Sequence, residues 1–128
     1  MEQYLLDTHT LLWMQDDNNN LSPLAKKILS DEESKLYISI ASFWEITIKL
    51  GLGKLELRYT IDDLVNACNI TNILILPIEI DFLKELQSLP PVHKDPFDRI
   101  IASTAVSLNL TIITLDEYIK QYNLKTIW

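Results

Sequence analysis

His93-Lys94-Asp95-Pro96-Phe97-Asp98-Arg99-Ile100-Ile101-Ala102 sets two carboxylates and two cations directly ahead of an apolar helix. Proline is tolerated at the first helical position, where its missing N–H would be unpaired in any case, so Pro96 marks the start and Asp95 is the N-cap. Asp98 then falls at N3. Phe97, Ile101, Ala105 and Leu108 recur at helical spacing and assign one face of this helix to the core. Asp98, Ala102 and Ala105 form a neighbouring line where small side chains permit close packing. Beyond the helix, Leu110-Thr111-Ile112-Ile113-Thr114 is a β-branched strand, followed by Leu115-Asp116-Glu117-Tyr118 with Asp116 just past the strand end.

The same alternation runs back through the chain. Gln3 to Leu6 is a short apolar strand that stops at Asp7, and Thr8 to Met14 reads as helix with Leu11, Leu12 and Trp13 apolar. After the polar loop Asp16-Asp17-Asn18-Asn19-Asn20, Ser22 caps a helix from Pro23 to Leu29, with Leu24, Ile28 and Leu29 directed inward. Leu36 to Ser39 is the second strand, and Ile40 to Leu50 is a helix apolar on nearly every side. Gly51 and Gly53, the only glycines, make a tight turn. Thr60 caps a helix through Asn69, with Ile61, Leu64, Val65 and Cys68 spaced for burial. Ile73 to Leu76 is a continuous apolar run, as expected of a strand covered on both faces. Ile80 to Leu89 is a further helix, broken by Pro90-Pro91, and Leu124 to Trp128 supplies a terminal edge strand. Strands alternating with helices imply an α/β fold on a parallel sheet.

The chain has 128 residues, enough for one domain over 1–128 and too few for two. No apolar run approaches the ~20 residues of a membrane span, and Met1-Glu2-Gln3-Tyr4 lacks a basic leader, so a cytoplasmic protein is expected. The single cysteine, Cys68, has no partner for a disulfide or a CxxC motif, which suits a reducing compartment. A net charge of −7 argues against gripping nucleic acid through a basic surface. Binding RNA or DNA would then require divalent cations or a basic partner to offset phosphate repulsion.

Four acids stand at comparable places: Asp7 after the first strand, Glu45 on the helix after the second, Asp98 at a helix start, and Asp116 after the fourth strand. Three of them have an ordinary structural reading. Asp7 serves as an N-cap, Asp95 and Asp98 as a capping pair in the favourable field of a helix N-terminus, and Glu45 as an exposed i,i+4 partner of Lys49. Against that, a lone Glu in so apolar a helix is costly unless it faces a polar site. Right-handed crossovers would gather strand ends and helix starts on one rim. Carboxylates gathered there repel, unless a divalent cation neutralises them. Mg²⁺ and Mn²⁺ prefer such oxygen ligands and keep several waters, one of which is a nucleophile suited to a phosphodiester. The expectation is a metal-dependent nuclease.

Leu6-Asp7-Thr8-His9-Thr10-Leu11-Leu12-Trp13, Ser42-Phe43-Trp44-Glu45-Ile46-Thr47-Ile48-Lys49, His93-Lys94-Asp95-Pro96-Phe97-Asp98-Arg99 and Thr114-Leu115-Asp116 together resemble the motifs of a PIN domain of the VapC toxin type, in order and over nearly the whole chain. The resemblance implies a three-layer sandwich with a central parallel sheet of four to five strands flanked by helices. It also implies an Mg²⁺- or Mn²⁺-dependent endoribonuclease, the toxin of a type II toxin–antitoxin pair, silenced by its antitoxin and commonly a homodimer. By motif, Asp7, Glu45, Asp98 and Asp116 would form the acidic metal site and Thr114 would help orient it. Asp95 is assigned to the helix cap. Leu11, Leu12 and Trp13 are candidates for an antitoxin groove, with core packing favoured for at least two of them. Arg99 is expected to steady a neighbouring carboxylate rather than contact RNA, and His93 to be structural rather than a proton carrier or ligand.

Other chemistries fit less well. A phosphate-cradling P-loop lacks its GxxxxGK[ST] spacing, and a receiver domain lacks an acceptor Asp after the third strand. A haloacid-dehalogenase-like phosphatase would need a second Asp in Asp7-Thr8-His9-Thr10. The remaining alternative is a non-catalytic PIN-fold module that binds RNA or a partner protein.

Overall fold

The computed structural model describes residues 2–16 and 19–128, so Asp17 and Asn18 of the polar loop lie outside the described residues. The strands are β1 (Gln3–Leu6), β2 (Lys35–Ser39), β3 (Ile73–Leu76), β4 (Thr111–Ile113) and β5 (Thr126–Ile127). The helices are α1 (Thr8–Gln15), α2 (Pro23–Ser30), α3 (Ile40–Gly51), α4 (Ile61–Ile70), α5 (Ile80–Ser88) and α6 (Pro96–Leu108). A 3-10 turn covers Ile119–Gln121. One parallel sheet in the order β3-β2-β1-β4-β5 divides the helices into two outer layers, which is the expected α/β sandwich.

The central strands are covered on both faces, and alternation sorts their side chains. Leu6 and Ile113 face a cluster built with Leu11, Leu12, Ala25, Ile28, Phe43, Ile46, Leu64 and Cys68, from α1 to α4. Leu5 and Ile112 face the opposite cluster with Ile101, Ala105 and Ile119. A fully buried Leu or Ile contributes about 1.5–3 kcal/mol relative to exposure, so this two-sided burial fixes the register of β1 and β4.

Three readings of burial are corrected. β3 is an edge strand, not one covered on both faces, and Leu74 is 52% exposed. Leu24, in the first turn of α2, and Leu108, the last residue of α6, are exposed rather than buried. On α6 the expected Ile101 and Ala105 are buried, and Ile100, Ala102, Ser103 and Thr104 are buried with them, so the middle of the helix is enclosed on every side. In a chain with so few glycines, asparagine takes the left-handed positions, Asn72 at φ 58° and Asn109 at φ 54°, while Gly53 takes φ 70° in its turn. Asn109 ends α6 and turns the chain into β4, as an αL cap does.

Register is what positions the functional rim. Leu6 pairs with Ile38 and with Ile113, so Asp7, Ser39 and Thr114 leave the sheet level with one another. Since α6 leads into β4, its N-terminus lies over the same rim.

Candidate metal centre

Asp7 is held from both sides. Its Oδ1 accepts the backbone N–H of Thr10 at 2.8 Å, as an N-cap does, and meets the Thr10 hydroxyl at 2.8 Å. Its Oδ2 accepts the hydroxyl of Thr114, which in turn accepts the backbone N–H of Asp116 at 3.0 Å. Burial pushes the Asp7 carboxyl up, against the hydrogen bonds of Thr114 and Thr10 that pull it down. Capping and site-building are thus one arrangement.

Glu45 is buried, not exposed as a simple surface pair would be. Its Oε1 accepts the Thr8 hydroxyl at 2.6 Å, and the Thr8 hydroxyl lies 3.0 Å from that of Ser42. Its Oε2 meets Lys49 Nζ at 2.5 Å. The i,i+4 pair exists, and it points into the rim. Burial alone would lower the Lys49 pKa, but Glu45, Asp95 and Asp98 together raise it.

Asp95 caps α6 by accepting the backbone N–H groups of Phe97 at 2.8 Å and Asp98 at 3.3 Å. Asp98 is pushed up to about 8 by burial first, and then by the charges of Asp95, Glu45, Asp116 and Asp7. Asp116 is fixed by its Oδ1, which accepts the backbone N–H of Tyr118 at 2.8 Å and of Ile119 at 3.1 Å. All four acids named from the sequence therefore meet at the C-terminal rim of the sheet, where α/β folds place their chemistry.

One expectation fails here. Arg99 does not pair with a carboxylate; it donates to the carbonyls of Pro90 at 3.0 Å and Leu86 at 3.4 Å and to the Tyr122 hydroxyl at 3.3 Å. Adjacent helical residues point about 100° apart, so Arg99 faces α5 when Asp98 faces the rim. His93 reaches the rim, with its Nε2 2.9 Å from Asp98 Oδ2 and 3.3 Å from Asp116 Oδ2. Thr8, Thr10 and Ser42 are further members that spacing did not single out.

Beside the acids an open groove of about 220 Å³ is lined by Asp7, His9, Trp13, Leu115 and Asp116. Leu11 and Leu12 are core, so Trp13 is the one groove candidate left of the three, stacked at 5.5 Å on His9 and 5.6 Å from Trp128.

The donor chemistry suits a hard divalent cation. His93, Asp98 and Asp116 offer atoms all within 4.8 Å of one another, and carboxylate oxygens dominate the surroundings. Burial first, and then repulsion from the neighbouring carboxylates, pushes Asp98 up to about 8, and such a cation would offset both.

Residues 4–125 match the family model described as PIN domain. A search of curated proteins found no match. Among solved structures, VapBC2 from Rickettsia felis bound to a promoter DNA fragment aligns with TM-score 0.70 at 16% identity, covering 98% of this chain and 97% of that one. FitAcB from Neisseria gonorrhoeae aligns with TM-score 0.68 at 20% identity over 98% of this chain and 96% of that chain. A toxin–antitoxin complex from Klebsiella pneumoniae gives TM-score 0.65 at 19% identity over 98% and 96%. At such identities these likenesses establish the fold.

Proposed function

Because the chain belongs to the PIN domain family, we propose that it is a metal-dependent endoribonuclease and the toxin of a toxin–antitoxin pair, built as one domain over residues 1–128. The observation that carries this reading is the crowding of Asp7, Glu45 and Asp116 around the half-buried Asp98, on a rim open to a groove. A protein of net charge −7 gains nothing from such a cluster unless a cation occupies it.

Asp7, Glu45, Asp98 and Asp116 would hold Mg²⁺ or Mn²⁺. Bound there, the cation supplies an acidified water and offsets charge on the scissile phosphate. The chain's own part is positioning. Thr10 and Thr114 fix the two oxygens of Asp7, Thr8 and Lys49 fix those of Glu45, and the N–H groups of Tyr118 and Ile119 fix one oxygen of Asp116. Geometry held in advance costs no reorganisation when the phosphodiester arrives.

The partner assignments have separate support. The aligned structure from Klebsiella pneumoniae is a toxin–antitoxin complex, which supports an antitoxin for this chain, and the His9–Trp13 groove beside the acids is a place for its tail. Ile40, Trp44 and Ile48 of α3 and its C-cap Leu52 make an exposed apolar stripe at four-residue intervals, which supports a homodimer. Among the described residues no helix is long and apolar enough to cross a membrane, and Cys68 is free; both agree with a cytoplasmic site of action.

The test is incubation of a mixed cellular RNA pool with purified, antitoxin-free protein in Mn²⁺, in Mg²⁺ and in chelator. Discrete fragments that appear with metal and vanish with chelator are expected. RNA bound but intact in every condition would favour the alternative, a non-catalytic PIN-fold binding module.

A further inference from the structure

His93 sits between two of the acids, and its two ring nitrogens have different partners. Nε2 lies 2.9 Å from Asp98 Oδ2 and 3.3 Å from Asp116 Oδ2. Nδ1 accepts the backbone N–H of Asp95 at 3.1 Å. An imidazole nitrogen that accepts a hydrogen bond carries no proton, and a neutral ring then holds its proton on the other nitrogen. Nε2 is therefore an N–H aimed between two carboxylates, with no in-plane lone pair to offer a cation. We infer that His93 is a positioning residue whose Nε2–H cross-links Asp98 and Asp116, and is not a nitrogen ligand of the metal. The role of that cross-link in metal binding rests on the nuclease reading above.

The ring is itself held in place. The backbone N–H of His93 donates to the Tyr122 hydroxyl at 3.1 Å, and Arg99 Nη1 donates to the same oxygen at 3.3 Å. Tyr122 is buried, and the Tyr118 ring packs on the imidazole with centroids 5.1 Å apart. This links the residues of the opening stretch physically. Arg99 steadies Tyr122, Tyr122 and the Asp95 backbone steady His93, and His93 sets one oxygen each of Asp98 and Asp116. The consequence is an all-oxygen donor set, which serves Mg²⁺ as well as Mn²⁺; a nitrogen ligand would bias the site toward Mn²⁺.

The test is nitrogen-15 NMR of the imidazoles in the full-length, metal-free protein, followed by pulsed EPR of the same protein loaded with Mn²⁺. A proton on Nε2 and none on Nδ1, with no nitrogen directly bound to Mn²⁺, is expected. A proton on Nδ1, or a directly coordinated nitrogen that disappears in His93→Gln, overturns the inference. Mn²⁺ calorimetry adds a rescue. His93→Gln keeps an N–H donor and holds affinity to within about threefold, while His93→Phe keeps the ring packing and loses about 10- to 100-fold. Equal losses in both variants, or none in either, contradict the cross-link. Wild-type protein that binds no Mn²⁺ contradicts the nuclease reading instead, and the NMR tautomer then decides the cross-link alone.

Discussion

Lys49 Nζ lies 2.5 Å from Glu45 Oε2, one turn further along α3, where Glu45 is only 2% exposed. The pair carries a charge into the protein that apolar surroundings would otherwise reject. Lys49→Met removes the cation and leaves Glu45 buried and uncompensated. We expect a loss of about 1–3 kcal/mol, less than for a fully buried pair because Lys49 is partly solvated. Urea unfolding of the metal-free protein measures it, and Lys49→Met combined with Glu45→Gln should recover part of the loss.

Asp98 ties function to instability. Its carboxyl titrates near 8 in the fold against an ordinary 3.8, so the ionised form is disfavoured on folding. The sign follows: the metal-free protein keeps this stability below pH 4 and loses it as pH rises toward 8. Asp98→Asn should raise the metal-free Tm at pH 8 and flatten its decline between pH 5 and 8. Mn²⁺ at a hundredfold excess over Kd should stabilise the wild type by about 2.7 kcal/mol and the variant by much less. Differential scanning fluorimetry with and without metal reads both.

Arg99 supports the site from behind. Its guanidinium donates to the carbonyls of Pro90, Leu86 and Leu89 and to the Tyr122 hydroxyl, so it closes the C-terminal end of α5. Arg99→Ala should cost about 1–3 kcal/mol in urea unfolding. Arg99→Lys should recover little of it, because a point charge cannot replace a planar fork.

Cys68 reports on the core of α4. It is fully buried, and burial pushes its thiol up to about 11. Native protein at pH 8 should resist iodoacetamide, with modification appearing in the mass spectrum only under unfolding conditions. Rapid labelling of folded protein would contradict the burial.

Where sequence reading succeeded, a local rule and a global one coincided. Asp7 and Asp116 follow β-strands and precede helical turns, and Asp98 follows a proline-marked helix start, so caps and site residues occupied the same positions. Glu45 stood out because so apolar a helix has no other acid. Where reading failed, the answer depended on direction or on sheet order. Arg99 is next to Asp98 in sequence and faces away from it in the helix. The apolar run of β3 looks the same at an edge as at the centre, since hydropathy does not give strand order. Thr8 meets Glu45 and Ser42 only because α1 and α3 start from level strand ends. His93 is held toward the acids by the backbone N–H of Asp95 donating to its Nδ1, a contact that no periodicity encodes.

The most direct test of the acidic cluster as a nuclease centre is RNA cleavage by Asp98→Asn beside the wild type, both confirmed as folded, in saturating Mn²⁺. Loss of fragments from a variant at least as stable as the wild type is the expected result. Undiminished cleavage by folded Asp98→Asn would contradict the assignment of catalysis to this rim.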